Sequence, residues 1–223
     1  SHLDDLAYLQ ELRDEGLIRN LGLTNFDTAH LRVVLASGVR VVSNQVCYSL
    51  LDQRARGDMT KLCAAENVKI LAFGTLAGGF LTDRWLDKPE PAMASLATWS
   101  HMKYKRYIDE AGGWPAFQQL LQALRKIADQ HDVSIANIAS RYILEQPTVG
   151  GVIIGARLGE NEHIRDNLKL LNFEIGDDSG ATLQSAIDKM VTIPGDCGDE
   201  YRKPLYLTAS GDLNHHLDSL PLP

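Results

Sequence analysis

The sequence is short of the features that announce several common functions. Of its 223 residues only three are cysteine, Cys47, Cys63 and Cys197. They are an odd number, far apart and without metal-ligand spacing, which argues against a disulfide scaffold or a cysteine-built zinc site and for reduced thiols in a cytosol-like compartment. No apolar run approaches the roughly 20 residues needed to span a bilayer, and the N-terminus has no basic segment followed by an apolar core. The expectation is therefore a cytoplasmic chain with no membrane partner. Basic residues are in deficit: 22 Lys and Arg against 29 Asp and Glu give a formal net charge of -7. With no Lys/Arg-rich tract interleaved with aromatics to follow a phosphate backbone, nucleic acid is not an expected partner either. Internal repeats and low-complexity tracts are also missing. What remains, 44% apolar and 23% charged residues, is the ordinary make-up of a globular domain with a core.

Periodicity then lays out the chain. Leu3, Leu6, Leu9 and Leu12 fall three apart on one helical face over residues 3–15, and Gly16 can supply a left-handed C-cap. An apolar strand follows at 18–23. Asp27 or Thr28 can cap a helix carrying Leu31, Val34 and Leu35, with Gly38 ending it, before a second strand at 41–46. A helix around 59–66 stops at Asn67, and 68–73 is the third strand. Between 74 and 115 the periodicity lapses in a stretch rich in Trp, Pro, Gly and Met; a loop of that length in a compact domain is usually functional. Helices are expected at 116–131 and 134–146, the second capped by Ser134, followed by a fourth strand at 149–154. Further helices are expected at about 160–170 and 179–191, and 192–223 reads as an irregular tail over a pocket. Continuously apolar strands separated by helices imply a parallel sheet covered by helices. Four such units make half of an eight-stranded barrel, so the expected fold is α/β, a partial (β/α)8 TIM barrel over 1–191. Its two unpaired edges, 18–23 and 149–154, invite cover by a second chain, by the tail or by rearranged helices, with self-association into a homo-oligomer the simplest solution.

The ordered motifs "GLIRNLGLTNF", "VSNQVCYSLLDQR", "VKILAFGTLAGGFLT" and "VIIGARLGENEHIRDN" resemble the last four strands and strand-end loops of the aldo-keto reductase family, a (β/α)8 barrel that reduces carbonyls with NADPH. The resemblance implies a cofactor role for ten residues. Thr24, Asn25 and Gln45 match positions that hold the nicotinamide carboxamide, and Phe73 stands where the family stacks an aromatic on the nicotinamide ring. Gly74, Thr75, Leu76 and Gly78 match the loop along the pyrophosphate. Arg157 is placed to pair with the adenosine 2'-phosphate, with Arg165 or His163 as alternatives in the slightly longer "LGENEH" segment, and Asn167 matches the adenine contact.

The family's chemistry also needs a proton donor for the carbonyl oxygen, a tyrosine made acidic by a lysine and an aspartate with a histidine beside them. The patterns carrying these four residues belong to the family's first four strands, and none is matched in this sequence. The 223 residues are thus expected to hold a remnant NADP(H) half-site, binding weakly or not at all, rather than a competent carbonyl reductase. Three accounts stay open: part of a longer reductase, a natural short relative catalysing a non-redox isomerisation, dehydration or cyclisation of a small metabolite, and a non-catalytic binding or assembly subunit. Tyr48, just beyond a cofactor amide in "NQVCY", is the residue to test as a substitute acid, with His101, Tyr104, Tyr201 and His215-His216 also near strand ends or overlying loops. Tyr107 and Asp109 have the wrong order and spacing for an acid role. The adjacent histidines of "NHH" lack a third ligand, so no metal is expected.

Overall fold

The computed structural model describes residues 2–156, 159 and 162–202. Among them four parallel strands form one sheet in chain order: β1 (Gly22–Thr24), β2 (Ser43–Cys47), β3 (Lys69–Phe73) and β4 (Val149–Ile153). Helices α1 (His2–Asp14), α2 (Thr28–Ala36) and α3 (Asp58–Ala65) precede β1, β2 and β3. Between β3 and β4 lie α4 (Trp99–Glu110), α5 (Gly113–His131) and α6 (Ile135–Leu144), and α7 (Ile164–Leu168), α8 (Asp177–Ile187) and α9 (Asp199–Arg202) follow β4.

The local causes are those the sequence advertises. Gly16 takes the left-handed conformation after α1. The Asp27 side chain accepts from the His30 N–H at 2.7 Å to cap α2, and Ser134 caps α6 through Asn137 N–H at 3.3 Å. In α5, Trp114, Phe117, Leu120, Leu121, Leu124, Ile127 and Ala128 are buried. This 3–4 residue spacing is a single stripe turned toward the core.

Strand pleating sorts side chains to two faces. Leu23, Asn44, Val46, Ile70 and Ala72 are buried. The opposite face carries Thr24, Gln45 and Leu71 in lateral register, then Cys47 and Phe73 one pleat further on. Thr24 is exposed and Gln45, Leu71 and Phe73 are half-buried, so this face is packed less completely than the other.

Three differences from the sequence reading have physical causes. β1 is only three residues long because it is an edge strand whose ladder, with β2, spans three residue pairs. The stretch 74–115 is not structureless: it holds the 12-residue α4 and short 3-10 turns at Ala77–Gly79, Asp83–Trp85 and Met93–Ser95. Phe80, Trp85, Trp114 and Phe117 tie it down, with ring centroids 4.8–6.3 Å apart. Of the helix expected at 160–170, the described residues hold α7 and a closing 3-10 turn, residues 160 and 161 lying outside them. His215 and His216 lie outside the described residues.

Candidate functional site

The C-terminal ends of β1, β2 and β3 gather most of the residues singled out in the sequence. Thr24 closes β1 opposite Gln45 of β2. Asn25 follows in a left-handed conformation, φ 60°, with its N–H on the Gln45 carbonyl at 2.9 Å; asparagine tolerates this region better than most residues. Its own carbonyl accepts from Arg202 Nη1 at 2.5 Å, while its side-chain Oδ1 is buried without a hydrogen-bond partner. Phe73 ends β3, and Gly74 (φ 72°) begins a loop in which Ala77, Gly78 and Gly79 also have positive φ. Thr75 is turned inward, 1% exposed, with Oγ1 3.2 Å from Ser140 Oγ. Leu76 packs against the core.

Above these strand ends lies α4, which periodicity did not reveal. A side chain at Gly74 would overlap the Tyr104 hydroxyl, and a Cβ at Gly78 would come within 2.7 Å of the Tyr104 ring and 2.8 Å of Ser100 Oγ. The glycines that resemblance assigns to a pyrophosphate therefore admit a helix in this conformation. Lys103 Nζ stands 5.6 Å from the centre of the Phe73 ring and 4.9, 5.4 and 5.9 Å from those of Tyr201, Tyr104 and Tyr107. It donates to Tyr201 Oη at 2.8 Å. Burial alone would lower its pKa, but the neighbouring Cys47, Tyr201 and Glu200 outweigh that and the pKa is raised. The ammonium is thus charged and held by ring faces. The Cys47 thiol below is buried, and burial lifts its pKa well above the usual range, so it is no nucleophile at neutral pH.

The segment after Ile193 is latched across the same end. Thr28 N–H donates to Asp196 Oδ2 at 2.8 Å, Arg54 Nη1 to the Asp196 carbonyl at 3.0 Å, and Arg202 lies 3.3 Å from Asp27. Arg54 is enclosed between Asp52 (2.6 Å) and Glu200 (2.9 Å) and touches Tyr107 Oη at 3.3 Å. Its sequence signal, "DQR" beside a strand end, gave no hint of a partner 146 residues further on, because such an ion pair exists only after the chain has folded.

The remaining candidates are dispersed. Tyr48 is 1% exposed, its N–H on the Phe73 carbonyl at 3.1 Å, and burial raises its phenol pKa. Tyr107 is likewise buried in α4, and Asp109 is paired with Lys105. Asn167 is half-buried in α7; His163 and Arg165 beside it are exposed. Arg157 lies outside the described residues. Cavities of about 440 Å³, between α5 and α8, and about 540 Å³, at the opposite end of the sheet, touch none of these residues. Among the described residues no group of three or more His, Cys, Asp or Glu could hold a metal ion, and no helix is long and apolar enough to cross a membrane.

Comparison with known proteins gives this arrangement its context. Residues 2–188 match the model of the aldo/keto reductase family. The chain is 28% identical over 200 residues to protein Tas of Escherichia coli (strain K12), covering 87% of this chain and 55% of that protein. It is 26% identical over 182 residues to the NADH-specific methylglyoxal reductase of the same organism, covering 81% and 52%. Among solved structures it superposes on the glycerol dehydrogenase of Gluconobacter oxydans with a TM-score of 0.69 at 19% identity, covering 87% of this chain and 56% of the other. It spans about half the length of these relatives, and its four parallel strands with their helices match the corresponding part of their α/β barrel. The chain belongs to the aldo/keto reductase family.

Proposed function

We propose that this chain carries the dinucleotide-holding part of an aldo-keto reductase site and that its ligand is NADP(H). The observation that supports this most is the buried, unpartnered Oδ1 of Asn25, which follows Thr24 at the end of β1 and neighbours Gln45, the residue paired with Thr24 in β2. A buried acceptor left unpaired costs free energy, and a carboxamide N–H is the donor it lacks. The Thr24 hydroxyl and the Gln45 amide complete a set that can both donate to and accept from one carboxamide. Phe73 would back the ring, the 74–78 loop the pyrophosphate, Arg157 the 2'-phosphate and Asn167 the adenine. When bound, the nicotinamide supplies a hydride donor or acceptor; the residues here bind and orient it.

Positioning alone is not the full reaction. A placed acid commonly contributes about 10²–10⁴-fold to such a step, and the residues the family uses for it match nothing in this sequence. These 223 residues by themselves are therefore expected to oxidise NADPH slowly, if at all, across a panel of small aldehydes and ketones. Robust turnover that disappears on Phe73→Ala would overturn that expectation. A cofactor-free arm, followed by mass spectrometry, detects isomerised or dehydrated product and would move the reading to non-redox chemistry. Binding is tested by calorimetry with NADP+ and NAD+, the latter a necessary control because one relative is NADH-specific. NADP+ is expected to bind more tightly, with the preference lost in Arg157→Ala and affinity reduced in Asn25→Ala. Equal affinities, or no change in either variant, would remove the argument. We also propose that the edges of β1 and β4, outermost among the described residues, are covered in solution by another polypeptide, a second copy of this chain being the simplest.

A further inference from the structure

The N-terminal ends of the strands hold a feature that the dinucleotide reading does not use. The cavity of about 540 Å³ there lies between the last turn of α1 and the links that lead into β1, β2 and β3. Three of its lining residues are arginines, Arg13, Arg19 and Arg40, against one carboxylate, Glu66, on a chain whose formal net charge is -7. Leu21, Val39 and Val41, all buried, form an apolar wall beside them. We propose that this cavity is a second binding site, for a small phosphomonoester: the guanidiniums take the phosphate and the apolar wall takes the organic group.

Helix ends account for only one of the three arginines. Each of α1, α2 and α3 precedes a strand and so turns its C-terminus, the negative end of its dipole, toward this side. Arg13 sits in the last turn of α1, where Nη1 donates to the Arg40 carbonyl at 3.2 Å and Nη2 lies 3.3 Å from Asp14. Its side chain is 15% exposed, so this guanidinium is fixed in the wall. Arg19 and Arg40 are exposed, and neither guanidinium has a hydrogen-bond or ion-pair partner among the described residues. Glu66 pairs with neither, and Arg40 reaches Asp14 only through its longer-range charge. Like charges on one cavity repel, and an anion held between them removes that cost. A phosphomonoester carries about −1.5 to −2 charges at pH 7 and three acceptor oxygens, and each guanidinium is a planar fork that can take two oxygens at once. A carboxylate brings a single charge and two oxygens, a poorer match to three arginines. The volume falls within the roughly 300–1,000 Å³ common for small-molecule sites.

Amide NMR on isotope-labelled protein, titrated with phenyl phosphate, inorganic phosphate and benzoate, reads affinity and place together. Phenyl phosphate is expected to shift the amides of residues 19–21, 38–42 and 66–67. It should bind at least about threefold more tightly than inorganic phosphate, through the contact of its ring with the apolar wall, and more tightly than benzoate. Arg19→Ala and Arg40→Ala should each weaken it at least about fivefold, and Glu66→Gln should strengthen it, folding being checked by circular dichroism. The place of binding is read on the unmodified protein, so the test does not depend on any variant folding. Shifts confined to residues 74–78, an affinity unchanged in both folded arginine variants, or no saturable shift with either phosphate would overturn the site. The dinucleotide reading stands or falls separately, because its residues lie at the other end of the strands.

Discussion

Arg54 shows how much a single side chain carries here. One per cent of it is exposed, Asp52 and Glu200 flank it with no exposure at all, and the Glu200 carboxylate has no hydrogen-bond partner to fall back on. Burial by itself would lower the guanidinium pKa, but Asp52 and Glu200 outweigh it and the group stays charged. Arg54→Met leaves two carboxylates buried and uncompensated, which costs about 3–5 kcal/mol; urea denaturation should show a loss of that size, with the 196–202 segment released and cleaved faster by protease. Asp27 offers a pH-resolved test. Burial would raise its pKa, but the His30 backbone N–H, the His30 ring and Arg202 together hold it below the ordinary 3.8. A carboxylate with a depressed folded pKa contributes fully above the unfolded value and loses that contribution as pH falls through the folded one. Stability should therefore decline below about pH 4, and Asp27→Asn, which keeps a capping oxygen, should flatten that limb in denaturation midpoints taken across the acid range. An unaltered acid limb would mean that other carboxylates dominate it.

At the scale of elements, α4 is the part that sequence periodicity passed over. Its buried positions are Tyr104, Lys105, Tyr107 and Ile108, so the inward stripe is built mainly from tyrosine rings and a lysine stem rather than from leucine or valine. Such side chains bury an apolar body and keep a polar tip, and a reading that counts aliphatic residues at helical spacing does not see them. α5 and α6 were legible for the opposite reason: aliphatic stripes and, for α6, a serine cap. The close seat of α4 on the Gly74 loop gives an element-level prediction. Gly74→Ala places a Cβ at φ 72° and against the Tyr104 hydroxyl, so it should destabilise by about 1–3 kcal/mol. Part of that loss should return when Tyr104→Phe is added, because only the overlap, and not the backbone strain, depends on the hydroxyl. Additive effects in a double-mutant cycle would show that the two groups do not meet.

For the whole molecule the open question is what meets the sheet. Among the described residues β1 and β4 are its two outer strands; β4 ends in the exposed Ile153 (45%), and the helical segment that follows it in the chain exposes Ile164 (43%), Leu168 (56%) and Leu171 (62%). An outer strand with no ladder partner among the described residues, in a chain that also exposes such side chains, favours pairing with another chain. Sedimentation is expected to show concentration-dependent association beyond the 24.6 kDa protomer, reduced by Leu168→Glu; a monomer at all concentrations would refute this. The sequence by itself determined the α/β order and the parallel strands, because these follow from periodicity and capping that each segment carries alone, while its short motifs, through their resemblance to the family, pointed to Thr24, Asn25, Gln45 and Phe73. Only the tertiary structure decided what lies over them: the packing of α4 on Gly74 and Gly78, the Lys103–Tyr201 link and the enclosure of Arg54 by Asp52 and Glu200. Those contacts join residues as much as 146 positions apart, and no local pattern encodes a meeting that depends on the whole chain having folded.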